Sequence, residues 1–168
     1  MADPSIGGGI VGEACHFLDL MCWLLESEPI SVSANSLPVG RKEPIGENNL
    51  VASFTFADGS IGNLTYCTVG SKTSGGERVE VFASGINVVV EDFKRLMIRT
   101  DVRRTRFHWW PQKGYAAQLE SFLTGIRQGK PPQITARDGA RATVGCLRML
   151  ESAKTHCYRS VDLEAVLH

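Results

Sequence analysis

The chain has no excess of charge: 18 basic and 18 acidic side chains over 168 residues sum to zero with histidine neutral. That balance, with no strongly basic stretch, argues against general affinity for nucleic acid or for an anionic membrane surface. No apolar run reaches the roughly 18–20 uncharged residues that a membrane-spanning helix needs. The first residues, Met1-Ala2-Asp3-Pro4-Ser5, lack the basic and apolar regions of a signal peptide. The 5 cysteines, at positions 15, 22, 67, 146 and 157, are odd in number and contain no CxxC pair. This usage reads as reduced thiols in a cytoplasmic protein. Internal repeats, low-complexity tracts and linkers are also missing. What is present is 43% hydrophobic and 21% charged, the balance of a soluble globular chain with a real core. Residues 1–168 read as one domain, too short to hold both a dinucleotide-binding and a substrate domain.

A Gly-rich segment leads into an almost wholly apolar stretch from Ile10 to Leu25. Ala14, Phe17, Leu18, Met21 and Leu25 recur at helical spacing, while Cys15, Cys22 and Trp23 fill the other faces, which predicts a buried helix ended by Pro29. The middle of the chain reads as strands. Ile30–Ala34 and Val51–Phe56 alternate with period two, and Asp58-Gly59 predicts a type I′ hairpin turn into Ile61–Thr68. Arg78–Phe82, a turn at Ser84-Gly85, Ile86–Val90 and Leu96–Ile98 continue an antiparallel meander. Two helices follow. One carries Tyr115, Leu119, Phe122, Leu123 and Ile126 on one stripe and closes at Gly129 and Pro131-Pro132. The other opens with Thr135-x-x-Asp138, which resembles a capping box, and carries Ala140, Val144, Leu147, Leu150 and Ala153. Ser160–Leu163 could add an edge strand. Strands in one block with helices at both ends predict an α+β fold: a predominantly antiparallel, open-faced sheet with helices packed on one face.

Gly7-Gly8-Gly9-Ile10-Val11-Gly12 matches GxGxxG literally, but that motif binds a dinucleotide only after a strand within a βαβ unit. Six residues precede it and an antiparallel block follows, so no cofactor-binding residue is assigned here. A Gly-rich helix start still aims free N–H groups at whatever lies above it, which suits an anionic or hydroxyl-rich ligand; a plain turn before a core helix fits as well. His16 has Glu13 at i−3 and Asp19 at i+3, near one helix face. Such a trio can tune an imidazole for proton transfer, or can hold a structural histidine at a helix–sheet contact; spacing alone leaves both open. Cys15, His16 and Cys22 do not have zinc-ligand spacing, and no metal ligand is assigned. Gly70-Ser71-Lys72-Thr73 lacks the glycine a phosphate loop requires five positions earlier, where Thr65 stands. Phe107-His108-Trp109-Trp110 offers aromatic surface for a sugar face or a subunit contact.

In order and spacing, these blocks resemble the C-terminal domain of the glucose–fructose oxidoreductase / inositol dehydrogenase (Gfo/Idh/MocA) family. The landmarks are Gly7-Gly8-Gly9 with Glu13-x-x-His16-x-x-Asp19, then Phe54-x-Phe56-x-Asp58-Gly59-Ser60-Ile61-Gly62. Later come Glu80-Val-Phe82-x-x-Gly85, Lys113-Gly114-Tyr115, Glu120-x-Phe122 and Gly129-Lys-Pro-Pro132. The resemblance implies that His16 is a catalytic acid/base at a hydroxyl of a sugar, cyclitol or sugar nucleotide. It also implies NAD or NADP on an N-terminal Rossmann domain that this chain lacks. Glu13, Asp19, Lys113 and Tyr115 are the matching candidates for substrate contact, and the open sheet face implies a homodimer or tetramer. Gly12 stands where the family often has Asp, with Glu13 as the neighbouring substitute. The expectation is a substrate-binding and oligomerisation domain that begins at a domain boundary, binds no cofactor by itself and is inactive alone. The rival is a stand-alone interaction module.

Overall fold

A computed structural model describes residues 8–38, 48–71, 73, 76–100, 104–107 and 113–167. The chain forms two compact units, Met1–Val69 with Ile134–His168 and, between them, Gly70–Gln133.

In the first unit a π turn over Ile10–Ala14 runs into helix α1 (Cys15–Leu25). Strands β1 (Pro29–Ser36), β2 (Asn49–Phe56) and β3 (Ile61–Cys67) follow, and after the second unit come α3 (Ala136–Thr155), β8 (Arg159–Ser160) and the short α4 (Glu164–Leu167). The sheet has the order β3-β2-β1-β8, and its pairs are antiparallel. Register puts Val32, Phe54 and Gly62 in one row, and Ala34, Ala52 and Leu64 in the next. These residues face inward and bury against Leu18, Cys22, Val144, Cys146 and Met149. The alternate residues Ser33, Val51, Ser53, Thr55, Ile61 and Asn63 are exposed. The α+β class with helices on one open-faced sheet is therefore what the chain adopts, because period-two alternation leaves each strand only one apolar side.

The second unit holds β4 (Arg78–Ala83), β5 (Ile86–Glu91), β6 (Arg95–Arg99), β7 (Arg104–Phe107) and α2 (Tyr115–Arg127). Its sheet is a meander in the order β4-β5-β6-β7, separate from the first. One face aligns Val79, Val81, Val88, Val90, Leu96 and Ile98, all half-buried. The other centres on buried Val89 and Met97. Around that pair stand Arg78, Glu80, Glu91 and Arg95, joined by the ion pairs Arg78–Glu80 (3.2 Å), Arg78–Glu91 (2.6 Å) and Arg95–Glu91. Long charged side chains cover apolar residues with their stems while their heads stay in water.

Several local expectations are corrected. The meander read as continuous divides into two sheets, and β7 joins the second. Helix α1 is not buried all round, since Trp23 is 72% exposed; it ends at Leu25, where Glu26 turns left-handed with φ 48°. Across Ala57–Ser60 only Gly59 takes a positive φ, 88°. Phe56 N donates to Ser60 O at 2.9 Å and Gly59 N to Phe56 O at 3.0 Å, a type I turn with a glycine bulge rather than type I′. The Asp58 carboxylate accepts from Ser60 N at 3.1 Å and Ser60 Oγ at 2.8 Å. Ser84 (φ 47°) and Gly85 (φ 79°) do form the two-residue left-handed turn. Thr135 and Asp138 close the anticipated capping box, and the terminal edge strand is the two-residue β8 against β1. Trp109 and Trp110 lie outside the described residues.

Candidate functional site

The start of α1 is the place where the first unit gathers polar groups at the edge of its core. A π turn closes i→i+5 rather than i→i+4 bonds, and such turns concentrate at functional sites. Here Ile10, Ala14 and Leu18 hold the inner side and are fully buried. Glu13 and His16 face outward and are exposed. The helix start is tied down through Gly9, whose amide donates to Asn48 Oδ1 at 3.0 Å. A Cβ on residue 9 would stand 2.9 Å from both Asn48 Oδ1 and Tyr66 Oη. Only glycine permits that approach.

The strand ends beneath are fixed by Asn49, which is 3% exposed. Its Oδ1 accepts from Thr68 N at 2.7 Å and Val69 N at 3.1 Å, while Nδ2 donates to Thr68 Oγ1 at 3.1 Å. This clamp joins the start of β2 to the end of β3 and so sets Asn48 and Tyr66. Tyr66 pairs in register with Leu50 and continues the inward row of Gly62 and Leu64. Partial burial, then the charge of Glu13, hold its phenol above the ordinary range. A phenol is in any case a neutral O–H group at neutral pH. Burial also pushes up the thiol of Cys15, next to His16.

Of the residues expected from sequence, Glu13 and His16 share this outward surface. Asp19 is drawn to Arg141 (3.7 Å), which also pairs with Glu28 at 2.9 Å and Asp138 at 3.2 Å. The Arg141 side chain is only 16% exposed, so this cluster braces α1 against the start of α3. Lys113 and Tyr115 belong to the second unit. Lys113 Nζ pairs with Glu77 at 3.2 Å and lies 5.6 Å from the centre of the Phe93 ring. The hydrogen bond and charge of Glu77 hold its ammonium above the ordinary range. Tyr115, the first residue of α2, is exposed. Asn48 and Tyr66 are additions that sequence reasoning missed. The available signal was a tyrosine ending an otherwise apolar strand row.

The Gly-rich segment does not fit a dinucleotide. The first unit's sheet pairs are antiparallel, the Gly9 amide is already spent on Asn48, and the space above its Cα is taken by Asn48 and Tyr66.

A family model described as the GFO/IDH/MocA C-terminal domain matches residues 1–88, more than half of the chain. The chain belongs to this family. No curated protein matches it. Among solved structures, an oxidoreductase domain protein from Kribbella flavida is similar to this Gfo/Idh/MocA domain at 17% identity and a TM-score of 0.76, covering 93% of this chain and 50% of that one. A levoglucosan dehydrogenase in complex with NADH and levoglucosan gives 18% identity and 0.76, with 92% and 50% covered. A UDP-N-acetylglucosamine 3-dehydrogenase from Acidithiobacillus ferrooxidans gives 21% and 0.71, with 84% and 45% covered. These likenesses establish the fold. The Gfo/Idh/MocA domain described above spans about half the length of the structures it matches.

Proposed function

We propose that this domain is the substrate-binding and proton-transferring part of an NAD- or NADP-dependent oxidoreductase acting on a hydroxyl of a sugar, cyclitol or sugar nucleotide. One observation carries the reading. His16 stands exposed on the first turn of α1, beside Glu13 and outside a helix start that only Gly9 lets close on Asn48 and Tyr66. Proteins of the same fold support it, among them a levoglucosan dehydrogenase complexed with NADH and levoglucosan. Oxidising a carbinol removes one proton and one hydride. The His16 imidazole accepts the hydroxyl proton, and the Glu13 carboxylate balances the imidazolium that results. A nicotinamide bound elsewhere in the full gene product would supply the hydride acceptor. Asp19 acts at one remove, steadying α1 through Arg141. Lys113 and Tyr115 are candidate substrate contacts on the second unit. In this reading residues 1–168 act together as one substrate and assembly domain, and the aliphatic sheet face of the second unit meets another copy.

The test is steady-state oxidation of glucose, myo-inositol, levoglucosan and UDP-N-acetylglucosamine by the full gene product with NAD or NADP. His16→Ala is expected to lower kcat by about 10²–10⁴-fold, with KM little changed. The 168 residues alone are expected to turn nothing over. Undiminished turnover by His16→Ala would overturn the reading.

A further inference from the structure

We propose that the Tyr66 hydroxyl is a specificity-determining contact, hydrogen-bonding the substrate hydroxyl next to the one that His16 deprotonates. The inference rests on the function proposed above and adds to it a residue and a selectivity.

Three features of the fold lead to it. The first is position. Tyr66 occupies the last inward place of β3, after Gly62 and Leu64. Its ring packs against the core cluster, while its hydroxyl reaches past that cluster to the start of α1. A phenylalanine would supply the same packing, so the oxygen adds nothing the core requires. The second is the emptiness at residue 9. Gly9 has no side chain where any Cβ would meet Tyr66 Oη and Asn48 Oδ1, each at 2.9 Å. Without a side chain at residue 9, the hydroxyl stands directly against the start of the turn that leads to Glu13 and His16. The third is rigidity. Asn48 is bonded to Gly9, and Asn49 clamps the strand ends to Thr68 and Val69. A hydroxyl held by three joined segments discriminates among substrates better than one on a free loop.

The chemistry suits a polyol. A phenol both donates and accepts, as a sugar hydroxyl does. A phenol is protonated at neutral pH, and burial, then the Glu13 charge, only reinforce this here, so it remains a donor. A site that hydrogen-bonds a substrate hydroxyl penalises the analogue lacking it, because the site's own polar group is then left unpaired.

The test crosses two variants with paired substrates in the full gene product: glucose, myo-inositol and levoglucosan, each against its monodeoxy analogue at a carbon adjacent to the reacting one. Wild type is expected to discriminate against the deoxy form in kcat/KM. Tyr66→Phe is expected to raise KM for the parent sugar about 3–10-fold, the worth of one neutral hydrogen bond, and to leave the deoxy analogue unchanged. Its melting temperature should match wild type. Gly9→Ala, whose Cβ would meet Tyr66 Oη and Asn48 Oδ1 at 2.9 Å each, should reproduce the lost discrimination. If wild type turns over none of these sugars, the proposed function fails and this inference fails with it. If wild type is active and Tyr66→Phe affects parent and deoxy sugars equally, only this inference is overturned.

Discussion

Single residues in the first unit differ most in how far they are removed from water. Cys22 and Cys146 lie in the core, and burial pushes their thiols up to about 11 and about 12 from an ordinary 9.0. For Cys22 the nearby Arg141 charge opposes that rise without cancelling it. A thiol whose pKa is raised by folding contributes its stability in full below the unfolded value. That contribution is lost as pH climbs from about 9 towards 11–12, where the unfolded chain ionises first. Stability to urea is therefore expected to fall between pH 8 and pH 10.5, and the fall to shrink in a Cys22→Ala/Cys146→Ala double variant. At neutral pH an aromatic disulfide reagent should label exposed Cys67 and Cys157 quickly and the two core thiols slowly. Equal rates for all in the folded chain would contradict this. The cysteine count suggested reduced thiols, but it could not say which are buried, because burial depends on the helix that covers them.

At the scale of elements, the packing of α1 on α3 depends on one missing side chain. A Cβ on Gly145 would lie 2.2 Å from Leu18 Cδ2 and 3.8 Å from Phe54 Cε1, and Leu18 is wholly buried. Gly145→Ala is expected to cost about 1–3 kcal/mol by overpacking, and to lower Tm by about 2–4 °C per kcal/mol in calorimetry. Leu18→Val should recover part of the loss in the double variant. A Tm equal to wild type would show that the helices do not approach this closely. Ser152 does comparable work nearby: its buried Oγ accepts from Ala34 N at 2.9 Å and donates to Cys157 O at 2.7 Å, joining α3 to β1 and the approach to β8. The helices themselves were legible in the spacing of Leu18, Met21 and Leu25, and of Val144, Leu147 and Leu150. Gly145 and Ser152 were not, since a small residue in an apolar stripe carries no sign of what presses on it. The turns divide in the same way. Ser84-Gly85 forms the expected turn, with both residues at positive φ, whereas Asp58 binds Ser60 with its carboxylate and leaves the positive φ to Gly59 alone.

At the scale of the molecule, the two units differ in how much apolar surface they enclose. The first buries a continuous core, but Val89 and Met97 are the buried hydrophobic residues among those described in the second. No residue of α2 is buried, and its stripe of Tyr115, Leu119, Phe122, Leu123 and Ile126 is exposed by 42% to 73%. Contiguous apolar surface of this kind marks interaction sites. With the half-buried Val81, Val88 and Leu96 face, it leads to the expectation of self-association at tens of micromolar in light scattering. Val88→Lys should shift the protein towards monomer with its circular dichroism retained. A strictly monomeric wild type would count against assembly through this face. The described helices include none long and apolar enough to cross a membrane.

The sequence by itself determined the α+β class, most of the strands and the capping box at Thr135, because these follow from local period and nearest-neighbour chemistry. Only the tertiary structure decided that the strands split into two sheets, that Asp19 turns to Arg141, and that Asn48 and Tyr66 close on Gly9. Those outcomes join residues 39 to 122 positions apart, and no local pattern encodes which distant surfaces will meet.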